Sequence, residues 1–523
     1  MNKLALLAFV LWTSLATLLV SPTASAAPDC SGDALISETF ANGAQWEMCW
    51  ESRIRENLVL NDIYYTPPNG TATRILSSAR LSQLHVAYDD SDVTYNDVTQ
   101  YGLGGGYLVE LSADDCPFGD LLIVQTRPAI CLWRSKGNDN YRTPSRSVSA
   151  ESLTLFSVSQ VGAYAYIVTW KFYSDGAIEP EIGATGALQR STDNLELPFG
   201  RLLQGDDDTL WLSHTHNYYW RLDFDIGDSA TDDTVTESRT QLTSSGRRET
   251  IVERFTTEQA RIVSPDYPVS WEIWDKLNGD TPGVDDRGYR IEPIHYGHRL
   301  ERKDIEPYTE FDFFVTVANE CERFASQNAR FNPDCLNQVA QYANDESLID
   351  ADIALWHRVS FHHVPRSEDQ RHMHTHWDSF TIEPINLHAS TPGIDLATNT
   401  APELAQISNQ SNTIGERIEW QLVASDIDGD GLSFSAENLP EGLRISVDGQ
   451  VQGQLNTLGI YNVNVVASDD IASSSRRFSW NVASTDSASG GNPKTGGSFF
   501  GSTGPVLLIG ILGFYLYRLR RVR

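Results

Sequence analysis

Positive charge is scarce in this chain. Lys and Arg together number 39 against 70 Asp and Glu, a formal net charge of −31 over 523 residues. So acidic a surface repels phosphate backbones, which argues against a nucleic-acid partner. Methionine is rarer still, at three residues. Long helical periodicity is absent, and no two cysteines stand at CxxC spacing, so a cysteine metal cluster is not expected. Aromatics and glycine are plentiful instead, with 13 Trp, 20 Tyr and 37 Gly. That balance suits strands and tight turns in an extracellular all-β protein. Hydrophobic residues make up 40% of the chain and are spread throughout, which excludes disorder for most of its length and allows more than one domain.

Both ends read as processing signals. Lys3, the apolar run Leu4 to Val20 and the small-residue site Ala24-Ser25-Ala26 make residues 1–26 a secretory signal peptide. An N-terminal membrane anchor is the alternative. At the other end stand Gly496-Gly497-Ser498, the apolar run Pro505 to Tyr517, and Arg518, Arg520, Arg521 and Arg523. The run is short for a spanning helix, and terminal arginines stay on the cytoplasmic side. This tail resembles the GlyGly-CTERM sorting signal of Gram-negative bacteria. The resemblance makes 485–499 a Gly/Ser linker with the sorting motif and 500–523 a short transmembrane segment with an Arg-rich tail. It implies export through the periplasm to the cell surface, with the chain membrane-anchored until a rhomboid-type sorting protease cuts near the glycine pair. A plain C-terminal anchor is the alternative. Cysteines of an exported chain pair. The six fall into close couples, Cys30 with Cys49, Cys116 with Cys131 and Cys321 with Cys335, and local pairing is expected.

Residues 399–484 stand apart. Asn399-Thr400-Ala401-Pro402 is a polar linker, followed by alternating strands such as Ile418 to Val423 and Tyr461 to Ala467. The loop Asp426-Ile427-Asp428-Gly429-Asp430-Gly431 and the turn Leu439-Pro440-Glu441-Gly442-Leu443 resemble those of cadherin-like and Ig-like domains. Asp426, Asp428, Asp430 and Asp469 either gather round Ca²⁺ or form a solvated acidic turn. The body, 30–398, is β-patterned throughout. Ile167 to Ile182 alternates on both sides of Ser174-Asp175-Gly176, a hairpin signal. The expected fold is all-β: a large antiparallel β-sandwich followed by a small Ig/cadherin-like one.

Chemistry begins at His214-Thr215-His216, inside a strand read as Leu210 to Phe224. Residues two apart on a strand face the same side, so both imidazoles converge on one point. Copper, zinc, iron and nickel all accept such ligands. His362 and His363 both qualify as the third ligand. Asp223 and Asp225 likewise face one way, to hold a hard cation or simply to be solvated.

Over roughly 45 to 398 these residues resemble the copper amine oxidases, in several ordered blocks. Ala79 to Asp90 is similar to SLSEMxVPYGD, and Tyr95 to Gly104 to YFDxGEYGLG. Gly162 to Gly176 is similar to GNYDYxFDWxFYxDG and is continued by Gly183-Ala184-Thr185-Gly186. His214 to Asp225 follows HxHxxxxRLDxD, and Asp352 to Asp369 follows DIVxWxxxxxxHxPRxED. The resemblance implies topaquinone formed from Tyr164, copper held by His214, His216 and His363, and Asp97 as the catalytic base. It makes Tyr88 the hydrogen-bond partner of the quinone oxygen and Tyr95 the gate. Asp223, Asp225 and Asp352, with the carbonyls of Phe224 and Ile353, match a Ca²⁺ site, and Cys116 with Cys131 an internal disulfide. His362 then falls to packing or support. The implied reaction consumes a primary amine and O₂ and yields aldehyde, ammonia and hydrogen peroxide, commonly in a homodimer. No standard side chain is an electron sink, which is why such a site must make a carbonyl cofactor.

The chain departs from the pattern in places. Ala163 and Ala165 replace the polar neighbours of the modified tyrosine, and Thr99 and Gln100 replace Gly and Glu. After Asp369 comes Gln370-Arg371-His372-Met373-His374-Thr375-His376, whose three histidines form either a second metal site or a set of surface groups. The family's small N-terminal domains have no counterpart. The leading reading is an active oxidase. The alternative is a degenerate oxidase fold serving cell-surface binding or adhesion, and a hydrolase built on the histidines is weaker, since no acid is placed for it. The loop 277–310 carries no code for the amine; the acidic exterior favours cationic substrates by steering.

Overall fold

Alternating apolar and polar residues fold into two broad antiparallel sheets. The computed structural model describes residues 27–484 except 33, 91–92, 143–146, 193–197, 228, 265, 278, 294–304, 389–399, 428–430 and 470. The leader, the sorting tail, Asp428, Asp430 and the middle of the 277–310 loop lie outside the described residues. The chain divides into two units, Met1–Asn399 and Thr400–Arg523.

In the first unit, a nine-stranded sheet has strands Thr73–Tyr88, His214–Phe224 and Ile353–His363 side by side near its middle. Every residue of His214–Phe224 is buried. A strand flanked on both sides and covered on both faces shows no in-out alternation of burial, and polar His214, His216, Arg221 and Asp223 are buried along with Tyr218, Trp220 and Leu222. The eleven-stranded sheet contains Ser147–Val161, Tyr164–Tyr173 and Ile178–Gly186 as successive neighbours, with Met373–Ser379 also pairing the last of these. The hairpin expected around Ser174-Asp175-Gly176 is present: Tyr173 N–H donates to the Ala177 carbonyl at 2.9 Å. Gly176 takes φ 94°, and a Cβ there would come within 2.9 Å of the Tyr65 ring, so both backbone and space demand glycine.

Aromatic side chains bridge the sheets. Trp220 meets Trp170 edge to face at 5.1 Å, Trp46 meets Phe172 at 5.0 Å, and Trp271 stacks on Phe313 at 4.1 Å. Large flat groups of this kind hold the layers about 10 Å apart. All six cysteines pair as the local couples expected, with Cα separations of 5.3, 5.7 and 5.9 Å.

One expected strand differs. Leu210 to Phe224 breaks at Ser213: Asp206–Leu212 belongs to a separate three-stranded sheet, and the next strand begins at His214. The backbone of Ser213 explains the break. Its N–H donates to Phe199 while its carbonyl accepts from Asp89, so the chain changes partners there. The second unit is a small β-sandwich of a four-stranded and a three-stranded sheet around Val451, Val463, Val465 and Trp480. Its strand Gln410–Thr413 runs parallel to Ser473–Ala483.

Trp220 is fully buried between the sheets. Trp220→Ala is expected to lower unfolding free energy by about 3–5 kcal/mol, read as a shifted urea midpoint at unchanged slope.

Candidate active site

Strand register assembles the histidines. His214 lies directly opposite His363 on one side and opposite Tyr88 on the other, so the three form a row across neighbouring strands. Alternation puts His216 on the same face. The His214 ring centroid is 4.8 Å from that of His216 and 5.2 Å from that of His363. His362, one residue earlier, turns away: its Nε2 lies 2.9 Å from Asp89, whose hydrogen bond raises its pKa. Of the two candidates for third ligand, the fold brings in His363.

Each imidazole is buried, and desolvation depresses its pKa, most plainly for His216, to about 3. Neutral rings are what a metal requires. Asp369 lies 3.0 Å from His363 Nε2, and the Tyr218 hydroxyl lies 2.8 Å from His216 Nδ1. Such partners fix tautomer and aim, leaving the opposite nitrogen free to ligate. The remaining atoms, His214 Nδ1, His216 Nε2 and His363 Nδ1, are buried with no hydrogen-bond partner. Three neutral imidazoles with orphaned nitrogens fit a copper ion.

Tyr164 arrives from the opposite sheet. It opens the strand Tyr164–Tyr173, opposite Gly186. Its hydroxyl is 3.4 Å from His214 Nε2, and its ring centroid is 5.7 Å from that of His216. Tyr88 and Tyr164 share a hydroxyl hydrogen bond, and Tyr166 stacks on Tyr164 at 6.1 Å. Burial pushes the Tyr164 phenol well above its ordinary pKa. Gln160 Nε2 donates to the Tyr164 carbonyl at 3.0 Å, and a Cβ on Gly186 would stand 2.8 Å from Tyr164 Cα. That glycine lets the two backbones close.

Asp97 follows the strand Thr94–Asn96 and begins a single helical turn, Asp97–Gln100. Its carboxyl is only 5% exposed and accepts from the Tyr166 hydroxyl at 2.6 Å. Desolvation raises its pKa to about 6 despite that bond. Tyr95, half-buried, meets Tyr88 edge-on at 6.3 Å. Tyr88, Tyr95, Asp97, Tyr164 and the three histidines therefore share one site.

Sequence reasoning gave no role to Tyr166, Tyr218, Gln160 or Asp369. Tyr166 had a signal, since it is two residues beyond Tyr164 on a strand. Tyr218 had the same signal, two residues beyond His216, whereas Gln160 had none, because its role depends on turn geometry. Of the three downstream histidines, His372 and His374 are exposed, and only His376 turns in.

A second cluster forms where Phe224 pairs with Ile353. Among the described residues only Asp223, Asp225 and Asp352 bring three metal-ligating atoms within 4.8 Å of one another. Asp225 Oδ1 and Asp352 Oδ1 are buried without hydrogen-bond partners. Arg221 pairs with Asp223 at 2.6 Å, and Arg74 with Asp225 at 2.8 Å. Desolvation, with repulsion from neighbouring carboxylates, raises Asp225 to about 6 and Asp352 to about 7. Concentrated carboxylates with unused oxygens suit a hard cation such as Ca²⁺.

The family model described as "Copper amine oxidase, enzyme domain" matches residues 126–403. A primary amine oxidase of Pisum sativum is 24% identical over 397 residues, covering 67% of this chain and 58% of that protein. One from Klebsiella aerogenes is 24% identical over 401 residues, covering 66% of this chain and 52% of that protein. The chain thus spans less than two thirds of the length of these relatives. A copper-containing benzylamine oxidase structure from Hansenula polymorpha superposes with a TM-score of 0.58 at 17% identity, over 70% of this chain and 63% of that one. This likeness supports the sandwich fold.

Because the folded protein holds Asp97 above its unfolded pKa, ionising it costs stability as pH rises through about 6. Asp97→Asn is therefore expected to stabilise the protein at pH 7.5 by about 1–3 kcal/mol and to do little at pH 4. Urea unfolding at the two pH values checks the sign.

Proposed function

This chain belongs to the copper amine oxidase family, and we propose that it oxidises primary amines, releasing aldehyde and ammonia and reducing O₂ to hydrogen peroxide. One observation carries the proposal: the Tyr164 hydroxyl stands beside three buried, neutral imidazoles while a buried carboxyl waits nearby at Asp97. Copper held by His214, His216 and His363 would convert the Tyr164 ring to topaquinone with O₂, and that quinone would supply the electron sink.

The remaining work falls to side chains. Tyr88 holds the Tyr164 oxygen and orients the ring. Asp97, once ionised, removes a proton from the α-carbon of the amine. Its raised pKa keeps it basic enough to do so near neutral pH. Tyr166 pins the carboxyl by donating to Oδ2, leaving Oδ1 for the substrate. Tyr95 screens the outer side and is half-exposed, as a gate must be. A cell-surface binding protein on a silent oxidase fold would have no use for orphaned imidazoles beside a base.

We further propose that Asp223, Asp225 and Asp352, with the Phe224 and Ile353 carbonyls, hold Ca²⁺ as structural support. The three disulfides support an exported chain passing through an oxidising compartment.

Protein loaded with Cu²⁺ in air is expected to colour, and its tryptic peptide containing Tyr164 to gain the mass of the added oxygen. Tyr164→Phe abolishes both. Wild-type protein that binds copper yet stays colourless at unchanged peptide mass would refute the oxidase reading. Asp97→Asn keeps the colour and loses turnover by about 10²–10⁴-fold. Ca²⁺ at a hundredfold excess over its Kd stabilises by about 2.7 kcal/mol. That gain is expected to be larger at pH 8 than at pH 5, where Asp225 and Asp352 are protonated, and absent in Asp225→Asn. Thermal midpoints with and without Ca²⁺ read it directly.

A further inference from the structure

A fourth imidazole lies against the histidine trio. The strand Met373–Ser379 pairs with Ile178–Gly186 and places His376 opposite Ala184, which on its other side faces Tyr166. His376 therefore belongs to the same sheet as Tyr164 and approaches the histidines from the opposite layer. Ala184 is small and buried, so nothing on that strand fills the space between. The His376 ring centroid is 4.9 Å from that of His363, and the ring stacks on Phe361 at 4.2 Å. Phe361 is itself the register partner of His216. The Nε2 of His376 is buried and has no hydrogen-bond partner.

We propose that His376 is a fourth nitrogen ligand of the metal centre, closing the site from the Tyr164 side of the sandwich. The inference rests on the copper reading of His214, His216 and His363. Four orphaned nitrogens, three from one sheet and one from the other, are what a cation would satisfy at once. A bound cation would recover the hydrogen bond that the buried His376 nitrogen leaves unmade, worth about 1–3 kcal/mol. The place of His376 on the second sheet also means that metal binding ties the two layers together. Exposed His374, two residues back on the same face of the strand, remains outside the centre.

The test uses the full chain stripped of metal and reloaded with Cu²⁺ alone. Competition with a chelator gives affinity, and electron paramagnetic resonance with electron spin-echo modulation reports the coupled nitrogens. His376→Ala is expected to remove one imidazole from the pattern, shift the g and hyperfine values, and weaken Cu²⁺ binding by roughly tenfold or more. His376→Phe, which keeps an aromatic ring against Phe361 but offers no nitrogen, is expected to show the same spectral change. His374→Ala is expected to leave spectrum and affinity at wild-type values. Variant spectra identical to wild type overturn this inference alone, even if affinity falls, since loss of packing lowers affinity without altering the ligand set. Wild-type protein that takes up no copper, or whose spectrum shows no imidazole nitrogen, overturns the copper reading with it.

Discussion

The site depends on one piece of register: His214 paired across its strand with both Tyr88 and His363. A one-residue slip of either neighbour would turn every side chain on it to the opposite face. Such a slip is resisted along the whole length of the strand. His214–Phe224 is buried residue by residue, and its far end carries the Asp223–Arg221 pair and the Phe224–Ile353 pairing. The same strand that aims imidazoles at one end gathers carboxylates at the other. Fixing the acidic end therefore also fixes the histidine end, and a cation at Asp223, Asp225 and Asp352 would act on the site through backbone register, without contact.

Burial sets the chemistry as firmly as register sets the geometry. Taking ionisable groups out of water disfavours their charged forms, which lowers the histidines, raises Asp97 and raises Tyr164. Neutral imidazoles are able to ligate a metal, and a carboxyl with a pKa near 6 is able to exchange a proton near neutral pH. The cost is borne by the core. Trp46, Trp170, Trp220 and Trp271 lie between the sheets and supply apolar area that offsets a pocket full of poorly solvated polar groups.

Much of this was legible in the chain. Period-two alternation revealed the hairpin around Gly176, and the HxH spacing revealed two imidazoles on one face, because a strand maps sequence onto faces by simple rule. His362 and His363 could not be separated by that rule, since both neighbours of a face change are histidine; the register with His214 separates them. The end of the strand at Ser213 was illegible for a related reason. Ser213 carries no turn signal of its own, and it is the exchange of backbone partners, Phe199 and Asp89, that ends the strand there. Gln160 was illegible as a site residue because it reaches the centre from a strand that the motifs do not mention, whereas Tyr218 sits two residues beyond His216 on the same strand and His376 was one of three histidines left between a second metal site and surface groups.

The alanines flanking Tyr164 are the sharpest departure from the family pattern, and the structure shows how the ring is held without polar neighbours. Ala163 lies exposed in the turn before the strand, and its carbonyl accepts from Ala187 N–H at 3.1 Å. Gln160 anchors the Tyr164 carbonyl, Gly186 admits the close strand contact, Tyr166 stacks on the face and Tyr88 takes the hydroxyl. Orientation has passed from side chains adjacent in sequence to groups adjacent in space. Tyr166 takes part twice, stacking on the ring and donating to Asp97. The Asp97 carboxyl and the Tyr164 ring are thereby positioned by the same residue, so a displacement of one moves the other with it. A scaffold arranged in this way keeps the distance between proton acceptor and ring constant even where the ring itself is less tightly clasped.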